Sequence, residues 1–366
     1  MPRNPSRSIK ILFLAGSTLL TLLLGEVVVR MLLPQQLPSQ QTIRQWILPG
    51  MYVEDARAGY RVAPGFEGQL QRNRVRTHFV TNSLGLRDIE ADDTRRPRVL
   101  AFGDSNTWGW GVKQASVWPA VVGRRLRDHY PHIQVLNCGT NGYGTANALG
   151  LLQDIGPQLA PDLVLLGFYA NDFSDNLAGI NAYSVKDGYL FDERSQRYWQ
   201  ARPLLRRSHL IRLINRVWDG IRVRWFGGLP QGRAGWNFDL DDLRKGGALS
   251  AALIIQMRDL SRQIGARFAV VWLPAPELVR STKRKIPIRW QLRAAVSSAG
   301  IPSIDLLAPV RQLRRWRNLY IPKDSHLSAE GHAFVGRLVS QFIESEGSLL
   351  PEPVTAEVGQ SRAVGR

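Results

Sequence analysis

An α/β fold, with one parallel five-stranded sheet covered by helices on both faces, is what this sequence predicts, on three observations. Five short apolar runs, near 98–103, 133–137, 162–167, 267–273 and 301–305, are too brief for helices and read as buried strands. Helical patterns fall between them, notably over 118–129, 146–159 and 249–264. Strand and helix in alternation require crossover connections, which lay the strands parallel and place helices on the sheet's two faces. The 366 residues suffice for one large domain with attachments and a sizeable core.

Taken in order, residues 1–10 are basic, with Arg3, Arg7 and Lys10, and residues 11–25 carry no charge at all. Counting from Ile11 through Leu33 gives 23 residues, enough for a helix to cross the ~30 Å hydrocarbon core of a bilayer. An acidic residue at the bilayer centre costs about 2.5–3.5 kcal/mol on insertion scales, so Glu26 is expected near the far interface, paired with Arg30 one turn on. Basic residues before the span keep the N-terminus cytoplasmic and place the rest of the chain outside. A cleaved signal peptide is the alternative, although no small-x-small cleavage site stands near residues 25–38.

Residues 34–97 read as a linker rich in Gln and Pro followed by a small β-rich lead-in, with strands at 59–62 and 75–81 and a turn at Pro64-Gly65. The sheet-forming domain spans 98–345. Between 175 and 247 its regular pattern fails, and this insertion holds Tyr183, Tyr189, Tyr198, Trp199, Trp218, Trp225 and Trp236 among many arginines, with an amphipathic stretch around 204–217. Following Asn171 closely, it is expected to overhang the strand ends as a lid or binding arm. Residues 346–366 are expected to be a disordered tail.

The groups that carry chemistry sit where strands end. The first strand closes in Gly103-Asp104-Ser105, which is by itself also an ordinary turn sequence. A serine just past a strand lies at the carboxyl edge of the sheet, where open α/β folds put their ligands. The second strand ends in Cys138-Gly139-Thr140-Asn141-Gly142, the third in Phe168-Tyr169-Ala170-Asn171-Asp172, and Lys323-Asp324-Ser325-His326 precedes a helical pattern near the C-terminus.

These four blocks, in this order, resemble those of the SGNH or GDSL-type hydrolases: Ser105 in GDSNTWG, Gly142 in NCGTNG, Asn171 in AND and His326 in DSHLS. The resemblance covers about residues 97–345 and implies a three-layer, flavodoxin-like α/β/α domain. Residues 81–88 look like the segment that precedes the first block in membrane-anchored relatives, and a bracing role for the catalytic domain follows. One departure stands out: the family commonly spaces its last block Asp-x-x-His, whereas here the acid is Asp324, two residues before His326, with Lys323 in the other place. A similar Asp-x-His spacing occurs in relatives that handle O-acetyl groups on extracellular polysaccharides.

The resemblance implies a serine esterase. His326 is the base that takes the Ser105 proton, with Asp324 on the other ring nitrogen, provided the loop turns back between them. If it does not, a backbone carbonyl serves instead. The Ser105 and Gly142 backbone N–H groups and the Asn171 amide form the hole for the oxyanion. Asp104 and Asp172 support the site without direct participation, and His332 reads as structural. No cofactor or metal is implied. The implied partners are an acylated glycan or lipid as substrate, the inner membrane through the N-terminal helix, and polysaccharide-assembly proteins, with the domain in the periplasm. An O-acyltransferase sharing the acyl-Ser105 intermediate, and a non-catalytic glycan-binding or assembly protein, are the alternatives.

Other readings fit less well. The net charge of +18 invites nucleic acid, yet no nucleic-acid motif appears and the arginines are scattered, with local clusters such as Arg311, Arg314, Arg315 and Arg317. The α/β-hydrolase elbow Gly-x-Ser-x-Gly is broken by Thr107, the glycines of 139–144 have the wrong spacing for a dinucleotide loop, and no metal-ligand cluster has a convincing spacing. The single cysteine, Cys138, excludes an internal disulfide and reads as a small buried filler.

Overall fold

The computed structural model describes residues 7–34, 48–72, 75–186, 188–191, 207–226, 240–280, 287–322 and 324–352. The Gln/Pro linker, Tyr198, Trp199, Trp236, Lys323 and the tail beyond 352 lie outside them.

Helix α1 (Arg7–Leu32) begins four residues before the expected span and stops one short of it. An 18-residue window within Ser8–Leu32 has a mean hydropathy of 2.1 and none of that window is buried, so the helix is long and apolar enough to cross a membrane, a property that signal sequences share. Glu26 and Arg30 pair at 2.7 Å.

The lead-in is two antiparallel hairpins, β1 (Tyr52–Asp55) with β2 (Gly59–Val62), and β3 (Glu67–Arg72) with β4 (Val75–Val80). Alternation located β2 and β4; β1 and β3 carry too many polar residues to read as strands without their partners. The hairpins are bound to the large domain by polar contacts. Tyr60 donates to the Asn141 carbonyl at 2.8 Å, and the Tyr143 hydroxyl donates back to the Tyr60 carbonyl. The rings of Tyr52, Tyr143 and Tyr183 each meet the Tyr60 ring edge to face.

The large domain continues with β5 (Arg98–Gly103), α2 (Ser105–Trp108), α3 (Trp118–Leu126), β6 (Gln134–Asn137), α4 (Thr145–Leu159), β7 (Leu163–Phe168) and α5 (Asp172–Ala178). The insertion supplies the hairpin β8 (Ser184–Lys186) and β9 (Tyr189–Phe191), then α6 (His209–Phe226). The domain resumes with α7 (Leu240–Gln263), β10 (Arg267–Trp272), α8 (Pro276–Arg280), α9 (Pro287–Ser298), β11 (Ser303–Asp305), α10 (Leu307–Gln312) and α11 (Ala329–Ser345).

The sheet has the order β6-β5-β7-β10-β11, all parallel, which is the flavodoxin-like order expected. Every residue of β5, β6 and β7 is buried, as in a sheet covered on both faces. Helices α3 and α11 pack together in one layer, and α4, α7 and α9 pack in the other.

Two boundaries differ from expectation. α5 runs to Ala178 and α7 starts at Leu240, so the irregular insertion is shorter at both ends than 175–247. Leu349 and Leu350, inside the expected tail, are 1% and 3% exposed and belong to the core, because the chain folds back after α11.

Candidate active site

Three of the four blocks arrive on one edge because β6, β5 and β7 are neighbours and parallel. Ser105 follows β5, Gly142 follows β6 and Asn171 follows β7, so all three emerge at the carboxyl end of adjacent strands. Gly103 is required at the end of β5: a Cβ there would lie 2.3 Å from Thr107 Oγ1 and 2.7 Å from the Gly167 carbonyl oxygen. Asp104 then caps the short α2, its Oδ1 accepting from Asn106 N–H at 2.8 Å, which places Ser105 at the first helical position.

The fourth block reaches the same edge from the other end of the chain. Ser105 Oγ and His326 Nε2 are 2.8 Å apart, and His326 Nδ1 is 2.7 Å from Asp324 Oδ1. A carboxylate only accepts, so Nδ1 carries the proton and Nε2 accepts from the serine hydroxyl. The two-residue spacing works because the loop wraps around the carboxylate: Asp324 Oδ1 also accepts from the Ser325 N–H at 2.8 Å and the His326 N–H at 3.2 Å. A bridge between Tyr320 and Leu327 closes this loop, Leu327 N–H donates to Asn106 Oδ1, and the Tyr169 hydroxyl donates to the Ser325 carbonyl. Trp110, its ring centroid 6.0 Å from that of His326, walls one side of the imidazole.

Two backbone donors beside the serine have no intramolecular acceptor among the described residues: the N–H groups of Ser105 and Gly142. Gly142 has φ +82°, a conformation that L side chains rarely adopt. Asn171 occupies the N-cap position of α5 without capping it through its side chain. Its Nδ2 instead donates to Asp175 Oδ2 at 2.8 Å, and since that carboxylate only accepts, the contact fixes which end of the amide is nitrogen. The same amide also reaches the Asp104 side chain, a contact that counters the rise burial causes in that carboxyl.

Buried carboxyls flank these groups. Burial pushes the Asp172 carboxyl well above its usual value, and the nearby Asp104 adds to the rise; Asp172 accepts from the Tyr169 N–H at 2.7 Å. Burial raises Asp104 too, against the pull of its bond to Asn106. His332 is fully buried, its Nδ1 accepting from Trp118 N–H, and burial depresses its pKa to about 3. Among the described residues no group of three His, Cys, Asp or Glu side chains is placed to hold a metal ion.

The model of the GDSL-like lipase/acylhydrolase family matches residues 101–334, which takes in all four blocks. The chain belongs to that family. An arylesterase of Vibrio mimicus is 33% identical over 84 residues, which is 23% of this chain and 42% of that protein, so the match spans less than half of the curated relative. Among solved structures, TesA is 15% identical, covers 68% of this chain and 98% of its own, and has a TM-score of 0.42. The lipase/acylhydrolase from Enterococcus faecalis is 17% identical, covers 71% and 100%, and has a TM-score of 0.41.

Two residues of this GDSL-like site escape a motif reading. Asp175 holds the Asn171 amide; its four-residue offset along one helix face was the available signal. Arg87, 1% exposed, donates from Nη1 to the Trp108 and Gly109 carbonyls and from Nη2 to the Val112 carbonyl, all within 2.8 Å, with its guanidinium 4.3 Å from the Trp108 ring centroid. Its neighbour Asp88 accepts from the Asn137 N–H at the end of β6. The lead-in therefore grips the segments that follow both Ser105 and β6. Of the described part of the insertion, β8 packs on β1 and β2, and α6 packs on α1 and α8.

Proposed function

We propose that this protein is a serine esterase, anchored by α1 with its catalytic domain outside the cytoplasm, that removes O-acyl groups, chiefly O-acetyl, from a glycan or lipid. The observation that carries the reading is the continuous line Ser105 Oγ, His326 Nε2, His326 Nδ1, Asp324 Oδ1, with separations of 2.8 Å and 2.7 Å across its two hydrogen bonds. The O-acetyl preference is supported by the Asp-x-His spacing, and the anchor by the apolar length of α1.

In this mechanism Ser105 Oγ attacks the acyl carbonyl carbon while its proton passes to His326 Nε2. The imidazolium so formed is stabilised by Asp324. The carbonyl oxygen, now an anion, accepts from the Ser105 and Gly142 N–H groups and from the Asn171 side-chain amide. His326 returns the proton to the departing alcohol oxygen, leaving acyl-Ser105. Water enters, gives its proton to Nε2 and its hydroxyl to the acyl carbon, and the carboxylic acid leaves as the proton returns to Ser105 Oγ.

The test is active-site labelling of the full-length chain by a fluorophosphonate, with acetate release measured from short acetyl esters and O-acetylated oligosaccharides. Labelling and release that both vanish in Ser105→Ala support the proposal. Folded protein that neither labels nor cleaves any short acyl ester overturns it and favours a non-catalytic glycan-binding role.

A further inference from the structure

Helix α6 leaves one face uncovered. Ile214, Val217, Trp218 and Ile221 are 53%, 52%, 57% and 38% exposed, and their spacing of three, four and seven confines them to an arc of about 100° on the helix. Leu210, one turn before Ile214 on that same face, is the residue that meets α1, its methyls 3.2–3.8 Å from where a Cβ on Gly25 would stand. The apolar stripe thus continues, without a break in direction, from the contact with the one helix among the described residues that is long and apolar enough to enter a bilayer.

The start of α6 is fixed at a definite level along α1. Glu26 accepts from Ser208 Oγ at 2.8 Å and from the His209 and Leu210 N–H groups at 2.9 Å and 2.8 Å, a carboxylate at the positive end of the helix dipole. Ser208 Oγ accepts in turn from Ile211 N–H, and Arg30 Nη2 donates to the Arg207 carbonyl at 3.0 Å. Glu26 and Arg30 are charged residues near the end of α1, where a membrane helix meets water, so α6 departs from α1 at interface depth. The sequence of α6 also carries Arg212, Arg216, Arg222 and Arg224, none of them at a position inside the apolar arc.

From these contacts we infer that α6 is an interfacial helix: it lies in the surface of the bilayer that α1 enters, with the Ile214, Val217, Trp218 and Ile221 stripe among the upper acyl chains and its opposite face turned away from them. The inference rests on α1 being a retained anchor. It has a consequence for the catalytic domain, because α6 packs on α8, which follows the carboxyl end of β10 on the same sheet edge as Ser105 and Asn171. The serine-bearing edge is thereby held toward the lipid headgroups, and the substrate is met at the membrane surface.

The experiment is site-directed spin labelling of the full-length chain in vesicles of phosphatidylethanolamine and phosphatidylglycerol, with depth read from collisions with oxygen against a water-soluble nickel chelate. Single substitutions Ile214→Cys, Val217→Cys, Trp218→Cys and Ile221→Cys carry the nitroxide. Leu22→Cys reports α1, and Asp128→Cys on the exposed side of the catalytic domain reports water. Cys138 is fully buried with its thiol pushed up by desolvation, so the label goes to the introduced residues. Variants are compared only where their melting by circular dichroism matches the parent. The expected result is a depth of about 5–10 Å below the phosphates at all four α6 positions, with Leu22 deeper and Asp128 in water. A lipid-embedded Leu22 with α6 labels as water-exposed as Asp128 overturns the inference and leaves the anchor standing. A water-exposed Leu22 overturns the anchor and this inference with it.

Discussion

Replacing Asp324 separates two roles that an acid in this position can play. In the well-studied serine proteases the corresponding asparagine costs about 10⁴ in turnover, because the amide presents its N–H₂ to the imidazole and enforces the wrong tautomer. Here Asp324 Oδ1 also accepts from the backbone N–H groups of Ser325 and His326, at 2.8 Å and 3.2 Å. In Asp324→Asn the same two donors hold the amide oxygen where Oδ1 was, since an N–H₂ there would face two N–H groups. The oxygen then keeps accepting from Nδ1–H, and Nε2 stays free to take the serine proton. What is lost is charge. A unit pair about 4 Å apart at an effective dielectric near 20 is worth about 4 kcal/mol, and hence a loss of about 10³ or less in turnover. Asp324→Ala, which loses the acceptor and the loop's two backbone bonds as well, is expected to lose about 10⁴. Both are measured as kcat on a short-chain chromogenic ester, normalised to fluorophosphonate-reactive sites, with melting temperatures recorded. An Asn variant as impaired as the Ala variant would refute the claim that the backbone pins the amide. Turnover within threefold of the parent in both would remove Asp324 from the mechanism.

Three further expectations follow from the same geometry. Arg87→Met leaves the Val112 carbonyl oxygen without its donor, while those of Trp108 and Gly109 keep Asn137 Nδ2 and Val112 N–H at 3.3 Å; at about 1–3 kcal/mol for an unpaired buried group the loss of stability should be about 2 kcal/mol, read from urea unfolding, and a change below about 0.5 kcal/mol would mean the lead-in does not brace the nucleophile segment. Gly142→Ala, at φ +82°, should cost about 1–3 kcal/mol in stability and about 10²–10³ in kcat if its N–H meets the oxyanion; equal small effects on both would argue for a turn residue only. His332 gives a pH dependence: its folded pKa is depressed to about 3 against about 6.5 unfolded, so the unfolded chain binds the extra proton, and stability is full above pH 6.5 and is lost as pH falls toward 3. Between pH 6.5 and 4.5 that contribution falls by about 2 kcal/mol. His332→Gln, whose amide oxygen can still accept from Trp118 N–H, should flatten that limb, and unchanged steepness in urea midpoints would refute it.

The sheet was legible because strands covered on both faces must be apolar throughout, and runs such as Val99 to Phe102 and Leu163 to Leu166 have no other use in a soluble domain. The hairpin strands β1 and β3 were not legible, since Tyr52-Val-Glu-Asp55 and Glu67-Gly-Gln-Leu-Gln-Arg72 become strands only by pairing with their neighbours. Glu26 with Arg30 could be anticipated from a four-residue offset on one helix. The same Glu26 closing the start of α6 could not, because nothing local marks a contact made across more than 180 intervening residues.

In the candidate site, residue type and block order were written along the chain: a serine, a glycine and an asparagine each just past a strand, and an acid and a histidine before the last helix. Their convergence was not. It depends on β6, β5 and β7 lying side by side and parallel, on Asp175 orienting the Asn171 amide, and on two backbone N–H groups folding the Asp324 loop around its own carboxylate. Local chemistry chooses which side chain stands at a turn, because strand, turn and helix preferences act over a few residues. Distances between groups more than 200 residues apart along the chain, such as the 2.8 Å from Ser105 to His326, are set only by the packing of the whole sheet and its helices.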